Sequence, residues 1–230
     1  MLLHGFLPSL LEGAAVTLGV ALSSLAVAAA LGLVGALAKL SRSRLAQALA
    51  ATYTTLIRGV PDLLLMLLIF YGGQVAVNTV APLLGHEDYI DIDPFVAGVL
   101  TIGFIFGAYL TEAFRGAFLA VPPGQREAGL AFGMSPRQVL WRITLPQMLR
   151  HVLPPLSNNW LVLIKSTAIV SVIGLSDLMT RGQQAAGTTR EPFSFYLAVA
   201  LIYLLFTSVS ELVFSWAQRR LAIGVKQGKL

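Results

Sequence analysis

The 26 residues from Gly13 to Ala38, GAAVTLGVALSSLAVAAALGLVGALA, contain no charged side chain. An α-helix rises about 1.5 Å per residue and the hydrocarbon core of a bilayer is about 30 Å thick, so a helix of this length crosses a membrane. A cleaved signal peptide is not expected, because Met1 to Glu12 has no Lys or Arg and the apolar run is longer than an h-region. The stretch therefore predicts a transmembrane helix.

The rest of the 230-residue chain has the same character: 56% of its residues are hydrophobic, 12% are charged, and its mean hydropathy is +0.77. Roughly a quarter of the residues of a soluble domain are charged, so the composition excludes an ordinary soluble protein. The absence of Cys excludes disulfides and thiolate metal sites. Stretches with few or no charges predict an all-α membrane protein, one domain over 1–230, with five transmembrane helices at about 12–38, 57–82, 94–119, 149–174 and 194–217.

Thirteen of the sixteen Lys and Arg residues fall on alternate connections of this five-helix arrangement. By the positive-inside rule these connections are cytoplasmic, which places the N-terminus outside and the C-terminus in the cytoplasm. The basic residues are Lys39, Arg42, Arg44, Arg58, Arg115, Arg126, Arg137, Arg142, Arg150, Arg219, Arg220, Lys226 and Lys229. The second connection instead carries Glu87, Asp88, Asp91 and Asp93. The positive charge thus indicates topology, and no alternation of basic and aromatic residues supports nucleic-acid binding.

The third connection, residues 121–146, is more than 20 residues long, although most connections in compact proteins are much shorter. Its local sequence predicts two short helices. Pro123 or Gly124 can begin the first, and Gly133 is placed to end it in the left-handed conformation that glycine adopts at little cost.

The second short helix has the sequence of a capping box. Ser135 precedes Pro136 at the first helical position, and Gln138 follows the serine by three residues. Pro146 is expected to end this helix. Two interpretations of the helix pair stay open: a docking surface for a protein partner, or an amphipathic segment on anionic lipid headgroups, which the arginines of the connection would suit.

The same connection carries a spaced motif: EAG at 127–129, three residues, Gly133, nine residues, and ITLP at 143–146. It resembles the EAA signature in the membrane subunits of bacterial ABC importers, with Gly129 where the signature usually has a second alanine. In that family the segment is the coupling helix, which seats in a groove of the ATPase subunit. The resemblance assigns ATPase coupling to Glu127, Ala128, Gly129, Gly133, Ser135, Ile143, Leu145 and Pro146.

The resemblance covers essentially the whole chain. YTTLIRGVPD at 53–62, GAYLTEAFRG at 107–116 and KST at 165–167 are similar to the polar amino acid branch of these importers. Within it, the chain is similar to the Q-type membrane subunits of histidine/lysine/arginine/ornithine importers. This implies a type I importer permease fold, alternating access, and cationic amino acids as substrates. Importers of opines or other polar amino acids stay open as alternatives.

The resemblance also implies an assembly in the bacterial inner (cytoplasmic) membrane. Its other members are a homologous M-type membrane subunit as heterodimer partner, two ATP-binding subunits and a periplasmic amino-acid-binding protein. Lys165-Ser166-Thr167 copies only the end of a Walker A motif, without the glycines that cradle phosphates. The chain itself is therefore expected to have no enzymatic activity and no cofactor, with ATP and Mg²⁺ bound by the partner. A self-sufficient secondary transporter or channel would need a complete pathway and internal repeats. This alternative is disfavoured, because the chain has only five predicted spans and its two halves show no evident repeat.

Polar side chains at membrane depth are candidates for a substrate pathway, because lipid-exposed polar groups cost free energy. The candidates are Glu112, Asp62, Lys165, Tyr109 and Asn158. Structural roles compete with this one. Glu112 can pair with Arg115 three residues later, and Asp62 can cap the second helix. Lys165 can bond an internal partner, and Asn158, like the asparagine after it, can form interhelical hydrogen bonds.

Overall fold

The computed structural model describes residues 2–86 and 88–221, so the predictions for Glu87, Lys226 and Lys229 lie outside the described residues. The described chain forms α1 (Leu7–Leu40), α2 (Arg44–Gly59), α3 (Asp62–Val80), α4 (Pro94–Leu119), α5 (Pro123–Ala131), α6 (Pro136–Val139), α7 (Leu145–Ser166), α8 (Leu178–Thr189) and α9 (Pro192–Leu221). Short 3₁₀ turns cover Leu2–Gly5, Ala81–Leu84 and Thr167–Ile173, and a π-helical turn covers Leu140–Thr144.

Five helical stretches are long and apolar enough to cross a membrane: Leu7–Leu40, Asp62–Leu84, Pro94–Leu119, Pro136–Ile173 and Pro192–Leu221. No β-strand occurs within 2–86 and 88–221. The prediction of an all-α protein with five transmembrane helices is confirmed. The side of the membrane that each end faces stays a prediction from the charges.

Close packing of α1 against α4 forms the centre of the molecule. A Cβ atom added to Gly35 of α1 would lie 2.3 Å from Oγ1 of Thr111, and one added to Gly103 of α4 would lie 2.6 Å from Cβ of Val27. The two helices therefore pack closely, as small residues allow between membrane helices. Ile164 of α7 is fully buried in the same core.

Helices α3 and α9 flank this core and are mostly exposed within the chain. The indole N–H of Trp160 on α7 donates to Oγ of Ser210 on α9 at 2.8 Å. Helix α8 lies between α1 and α9, where Arg181 donates to Glu12 of α1 at 2.7 Å. Polar contacts between helices thus tie the flanking elements to the centre.

The first and fourth connections each contain a helix that the sequence did not predict. Helix α2 occupies the first connection and begins where Oγ of Ser43 accepts the N–H of Ala46. Its Ala50, Thr54 and Ile57 are buried on one face, while its leucines on the other are exposed. At 16 residues α2 is too short to span a bilayer. Because Arg44 and Arg58 lie at its two ends, its uncharged stretch is too short to be found in a search for long apolar runs. Helix α8 occupies the fourth connection.

The expectation that Pro146 ends the second short helix is wrong. The chain stays helical from Pro136 to Ile173. In the π-helical turn the N–H of Leu145 donates to the carbonyl of Leu140, five residues earlier. This wider turn, together with the position of Pro146 in the first turn of α7, removes the need for a proline N–H.

Gly35→Ala is expected to lower the thermal midpoint of the purified, detergent-solubilised protein, because the new methyl group overlaps Thr111. Overpacking of this kind costs about 1–3 kcal/mol. The matched control is Gly72→Ala on α3, where an added Cβ meets no atom within 4 Å. Equal midpoints for the two variants would contradict the close α1–α4 contact.

Candidate functional site

The first short helix of the 121–146 segment is α5, and its ends follow the sequence signals. Pro123 occupies the first helical position. At the other end Gly133 has φ +81°, its N–H donates to the carbonyl of Leu130 at 2.9 Å, and the N–H of Met134 donates to Gly129 at 3.1 Å. This pair of bonds is the Schellman motif, which satisfies the last carbonyls of the helix. The predicted role of Gly133 as helix terminator is confirmed.

The second short helix begins with the predicted capping box. The N–H of Gln138 donates to Oγ of Ser135 at 3.3 Å, and the N–H of Ser135 donates to Oε1 of Gln138 at 2.8 Å. Pro136 is at the first helical position. The turn between α5 and α6 therefore has fixed geometry at both ends, and the two helices form a defined pair.

Gly129 is the buried contact point of this pair. A Cβ atom there would lie 2.7 Å from Cδ1 of Ile143 and 3.0 Å from Cγ2 of Val139. The absence of a side chain lets α5 approach the α6 end of the segment closely. The departure from the alanine of the signature thus has a packing reason that sequence spacing alone does not reveal.

Large apolar side chains of the segment point away from the protein. Phe132 is 89% exposed, Trp141 is 70% exposed, and Leu130 is half exposed. Arg126 stacks over the ring of Phe118 with its Cζ 5.6 Å from the ring centroid. A rigid pair of helices that exposes aromatic residues beside charged ones has the composition of a protein-binding surface.

Glu112 lies in a charged cluster where α1, α2 and α4 meet. Its Oε1 accepts a hydrogen bond from Lys39 of α1, and its Oε2 accepts from Nε of Arg115 at 3.0 Å. Lys39 also donates to Oγ1 of Thr54 on α2 at 2.6 Å. Both carboxylate oxygens are therefore engaged within the chain. The pairing of Glu112 with Arg115 is present, while Lys39 is a partner that sequence reasoning missed because it lies 73 residues away.

Asp62 and Tyr109 are brought together at the junction of α2, α3 and α4. The guanidinium of Arg58 lies over the ring of Tyr109, with Cζ 5.5 Å from its centroid. Asp62 and Arg58 both lie within electrostatic range of the Tyr109 hydroxyl. Tyr109 and Asp62 are each half-buried. This junction places a carboxylate, a cation and an aromatic ring side by side.

The other pathway candidates lie elsewhere. The side chain of Lys165 is exposed along a groove of about 360 Å³ shared with Tyr196 and Tyr203 of α9, and the described residues provide it with no hydrogen bond or ion pair. Asn158 is exposed. Asn159 donates to the carbonyl of Pro155 in its own helix at 2.8 Å, so the interhelical hydrogen bond expected of the asparagine pair is made by Trp160 instead.

Asp177 is a buried carboxyl that sequence reasoning did not single out. Its Oδ1 accepts the N–H of Thr180 at 2.8 Å and caps α8, while its Oδ2 has no hydrogen-bond partner within the described chain. The residue is 1% exposed, and burial raises the pKa of its carboxyl. The hydroxyl of Tyr203 lies within electrostatic range of Asp177, and it too has no hydrogen-bond partner by distance and angle among the described residues. An aspartate just before a helix is a cap signal that could have located it.

Five spans, with an exposed helix pair between two of them, define a multi-pass membrane protein. A family comparison gives the class: the family described as "Binding-protein-dependent transport system inner membrane component" matches residues 28–223. The chain belongs to this family of transport-system membrane subunits. The family predicted from the EAA-like motif is thereby confirmed. Within 2–86 and 88–221 no group of three or more His, Asp or Glu could hold a metal ion.

Individual relatives match over nearly their full length. The histidine/lysine/arginine/ornithine transport system permease protein HisQ of Escherichia coli K12 is 53% identical over 229 residues, which cover 100% of each chain. The octopine transport system permease protein OccQ of Rhizobium radiobacter is 43% identical, over 95% of this chain and 92% of its own. A crystal structure of an amino acid ABC transporter with histidines contains a chain with TM-score 0.78 and 31% identity, covering 93% of this chain and 94% of that one.

Asp177→Asn is expected to raise the thermal midpoint at neutral pH, because asparagine keeps the cap oxygen and removes a buried charge. The folded-state pKa of Asp177 is raised above its unfolded value. In the wild type, the protonated Asp177 carboxyl therefore contributes its full stabilisation below the unfolded pKa. This stabilisation is lost as the pH rises through the folded pKa and the buried carboxyl becomes charged. The midpoint difference between variant and wild type should narrow from about pH 7 to about pH 4.

The matched control is Asp88→Asn on the exposed second connection, which should leave the midpoint unchanged over this range. A difference for Asp177→Asn that stayed constant or widened on acidification would contradict the assigned burial of the charge.

Proposed function

We propose that this chain is the transmembrane permease subunit of an ATP-driven amino acid importer in the bacterial inner membrane. Its substrates are cationic amino acids: histidine, lysine, arginine and ornithine. The observation that carries the proposal is the exposed, rigidly capped helix pair α5–α6, joined at both ends to spanning helices. The substrate class is supported by the name and the full-length similarity of the HisQ relative.

The residues assigned to ATPase coupling divide into three groups by burial and position. Gly129 is buried and Ile143 is half-buried, so these two hold α5 and α6 together. Glu127 and Ala128 are exposed and, together with the neighbouring exposed Phe132, present the surface that enters a groove of the ATPase. The remaining members shape the ends of the pair: Gly133, Ser135, Leu145 and Pro146.

The chain works as one half of a membrane assembly. Five spans with scattered polar groups enclose half a pathway, so the other half comes from a homologous M-type subunit. Two ATP-binding subunits hold ATP and Mg²⁺, and a periplasmic binding protein delivers the amino acid. Closure of the ATPases, passed through α5 and α6, turns the paired membrane subunits outward, and reopening releases the substrate inside.

Asp62 and Tyr109 are the pathway residues that the geometry favours. A carboxylate beside an aromatic ring and Arg58 offers a site for the charged groups of an amino acid. Glu112 instead holds α1 to α4, since both of its oxygens are engaged. Lys165 and Asn158 are exposed in the single chain and contribute to the pathway only where the partner subunit covers them.

A second substrate class, the opines, is favoured by the 43% identity to the octopine permease. Calorimetric titration of the cognate binding protein with arginine, lysine, histidine, ornithine and octopine separates the two classes. If only octopine bound tightly, the substrates would be opines and not the cationic amino acids.

Glu127→Lys and Gly133→Pro are expected to reduce co-purification of the ATPase about tenfold or more while leaving membrane insertion intact. The first reverses a charge on the exposed face, and the second removes the left-handed turn and its N–H donor. Pull-down of the membrane complex with quantified ATPase recovery is the measurement.

The control is the charge reversal Asp88→Lys, on the second connection at the opposite, outer side of the membrane. The complex that carries this change should co-purify with a normal amount of ATPase. Full ATPase recovery and uptake in both docking variants would remove the coupling role from the helix pair.

Asp62→Asn is expected to lower uptake of radiolabelled arginine about tenfold at unchanged complex yield, the effect of one lost charged hydrogen bond to the substrate. Glu112→Gln should lower the thermal midpoint and the yield of the complex, with uptake falling only in proportion to yield, because it loses charge pairing to Lys39 and Arg115. If Glu112→Gln lowered uptake at unchanged yield while Asp62→Asn lowered the yield, Glu112 would be the pathway residue and Asp62 the structural one.

A further inference from the structure

Helix α2 leaves an apolar groove where it packs beside α1. The groove has a volume of about 340 Å³ and is lined by Leu31, Val34 and Ala38 of α1, Ala46 and Leu49 of α2, and Phe104 of α4. It is open along one side. Nothing in the transport mechanism uses it.

The polar groups near this groove are occupied by other contacts. The hydroxyl of Tyr53, which lines its floor, donates to the carbonyl of Phe104 at 2.5 Å. Lys39, next in the chain to the groove-lining Ala38, donates to Thr54 and Glu112. The groove therefore offers hydrocarbon to its occupant and no hydrogen-bonding group. A polar peptide would lose its backbone hydrogen bonds there without replacement.

The turn between the two groove walls is basic and has a fixed shape. Arg42 and Arg44 are both exposed in the turn that connects Ala38 to Ala46. Oγ of Ser41 donates to the carbonyl of Ala38 at 2.8 Å, and the Gln47 side chain donates to the carbonyl of Ser41 at 2.7 Å. These bonds fix the backbone of the turn, which places both arginines at the end of the groove where Ala38 and Ala46 lie. Guanidinium forks match phosphate oxygens in bidentate geometry.

We propose that this groove binds one anionic phospholipid, with an acyl chain along α1 and α2 and the phosphate at Arg42 and Arg44. Charge complementarity and the apolar lining identify the occupant together: an acyl chain satisfies the walls, and a headgroup with net negative charge satisfies the turn. By the orientation proposed above, the lipid belongs to the cytoplasmic leaflet.

The exposed side of α2 fits the same arrangement. Leu45 is 70% exposed and Leu49 and Leu56 are also exposed, although the helix is too short to span the membrane. A short helix with an apolar outer stripe and arginines at its ends lies in the interfacial region of a bilayer. At that depth phospholipid headgroups are level with the turn, so the two arginines and the groove act on one molecule.

The test measures lipid retained by the purified importer complex after extraction from nanodiscs of equal phosphatidylglycerol and phosphatidylcholine. Native mass spectrometry then counts each bound lipid. The wild type should retain phosphatidylglycerol in preference to phosphatidylcholine. The double change Arg42→Gln and Arg44→Gln should reduce this preference about fivefold per arginine, which is about 1 kcal/mol for each charge. Ala46→Phe, which fills the groove, should abolish retention of the lipid.

The matched control removes two exposed charges at the end of α9 by Arg219→Gln and Arg220→Gln. It should keep the wild-type preference. If both double variants lost the preference for phosphatidylglycerol equally, general surface charge would explain the binding and the proposed site would be overturned. Unchanged lipid retention in Ala46→Phe would also overturn it. A photocrosslinker at Leu49 that captured only the partner membrane subunit would also overturn it. Retention is read without uptake or ATPase activity, so failure here and failure of the proposed transport function are distinguishable.

Discussion

The contact between α1 and α4 is the constraint on which the rest of the structure depends. Gly35 lets the Thr111 side chain approach α1, and Gly103 lets the Val27 side chain approach α4, so the two helices pack more closely than larger residues would allow. Between membrane helices no hydrophobic force replaces such packing, because lipid is as apolar as leucine. Helices α2, α7 and α8 each pack on this pair, and the Lys39–Glu112 bond joins the C-terminal end of α1 to α4.

The position of the helix pair follows from this centre. Helix α4 reaches α5 through three residues, of which Val121 is buried, and α6 continues through the π-helical turn into α7. Thr144 at the end of that turn is almost fully buried. The exposed surface is therefore mounted at both ends on spanning helices, and displacement of α5 and α6 must move α4, α7 or both.

Local rules predicted the parts of this protein that local chemistry decides. The Gly133 turn and the Ser135–Gln138 capping box are satisfied within a few residues, so their sequence signals were sufficient. Helix α2 was missed because its uncharged stretch, residues 45–57, is shorter than a membrane span, and Lys39 as partner of Glu112 was missed because only the tertiary fold brings α1 to α4. Burial of a carboxyl depends on the same fold, which explains why Asp177 gave only a cap signal.

The π-helical turn at Leu140–Thr144 fixes an angular relation. An α-helix advances about 100° per residue, so a single residue added to a turn rotates everything before it by roughly that angle relative to everything after it. The extra residue therefore sets the azimuth at which Trp141 leaves the axis of α7. Insertion or deletion of one residue here would therefore turn the aromatic face of the segment about the helix axis relative to α7.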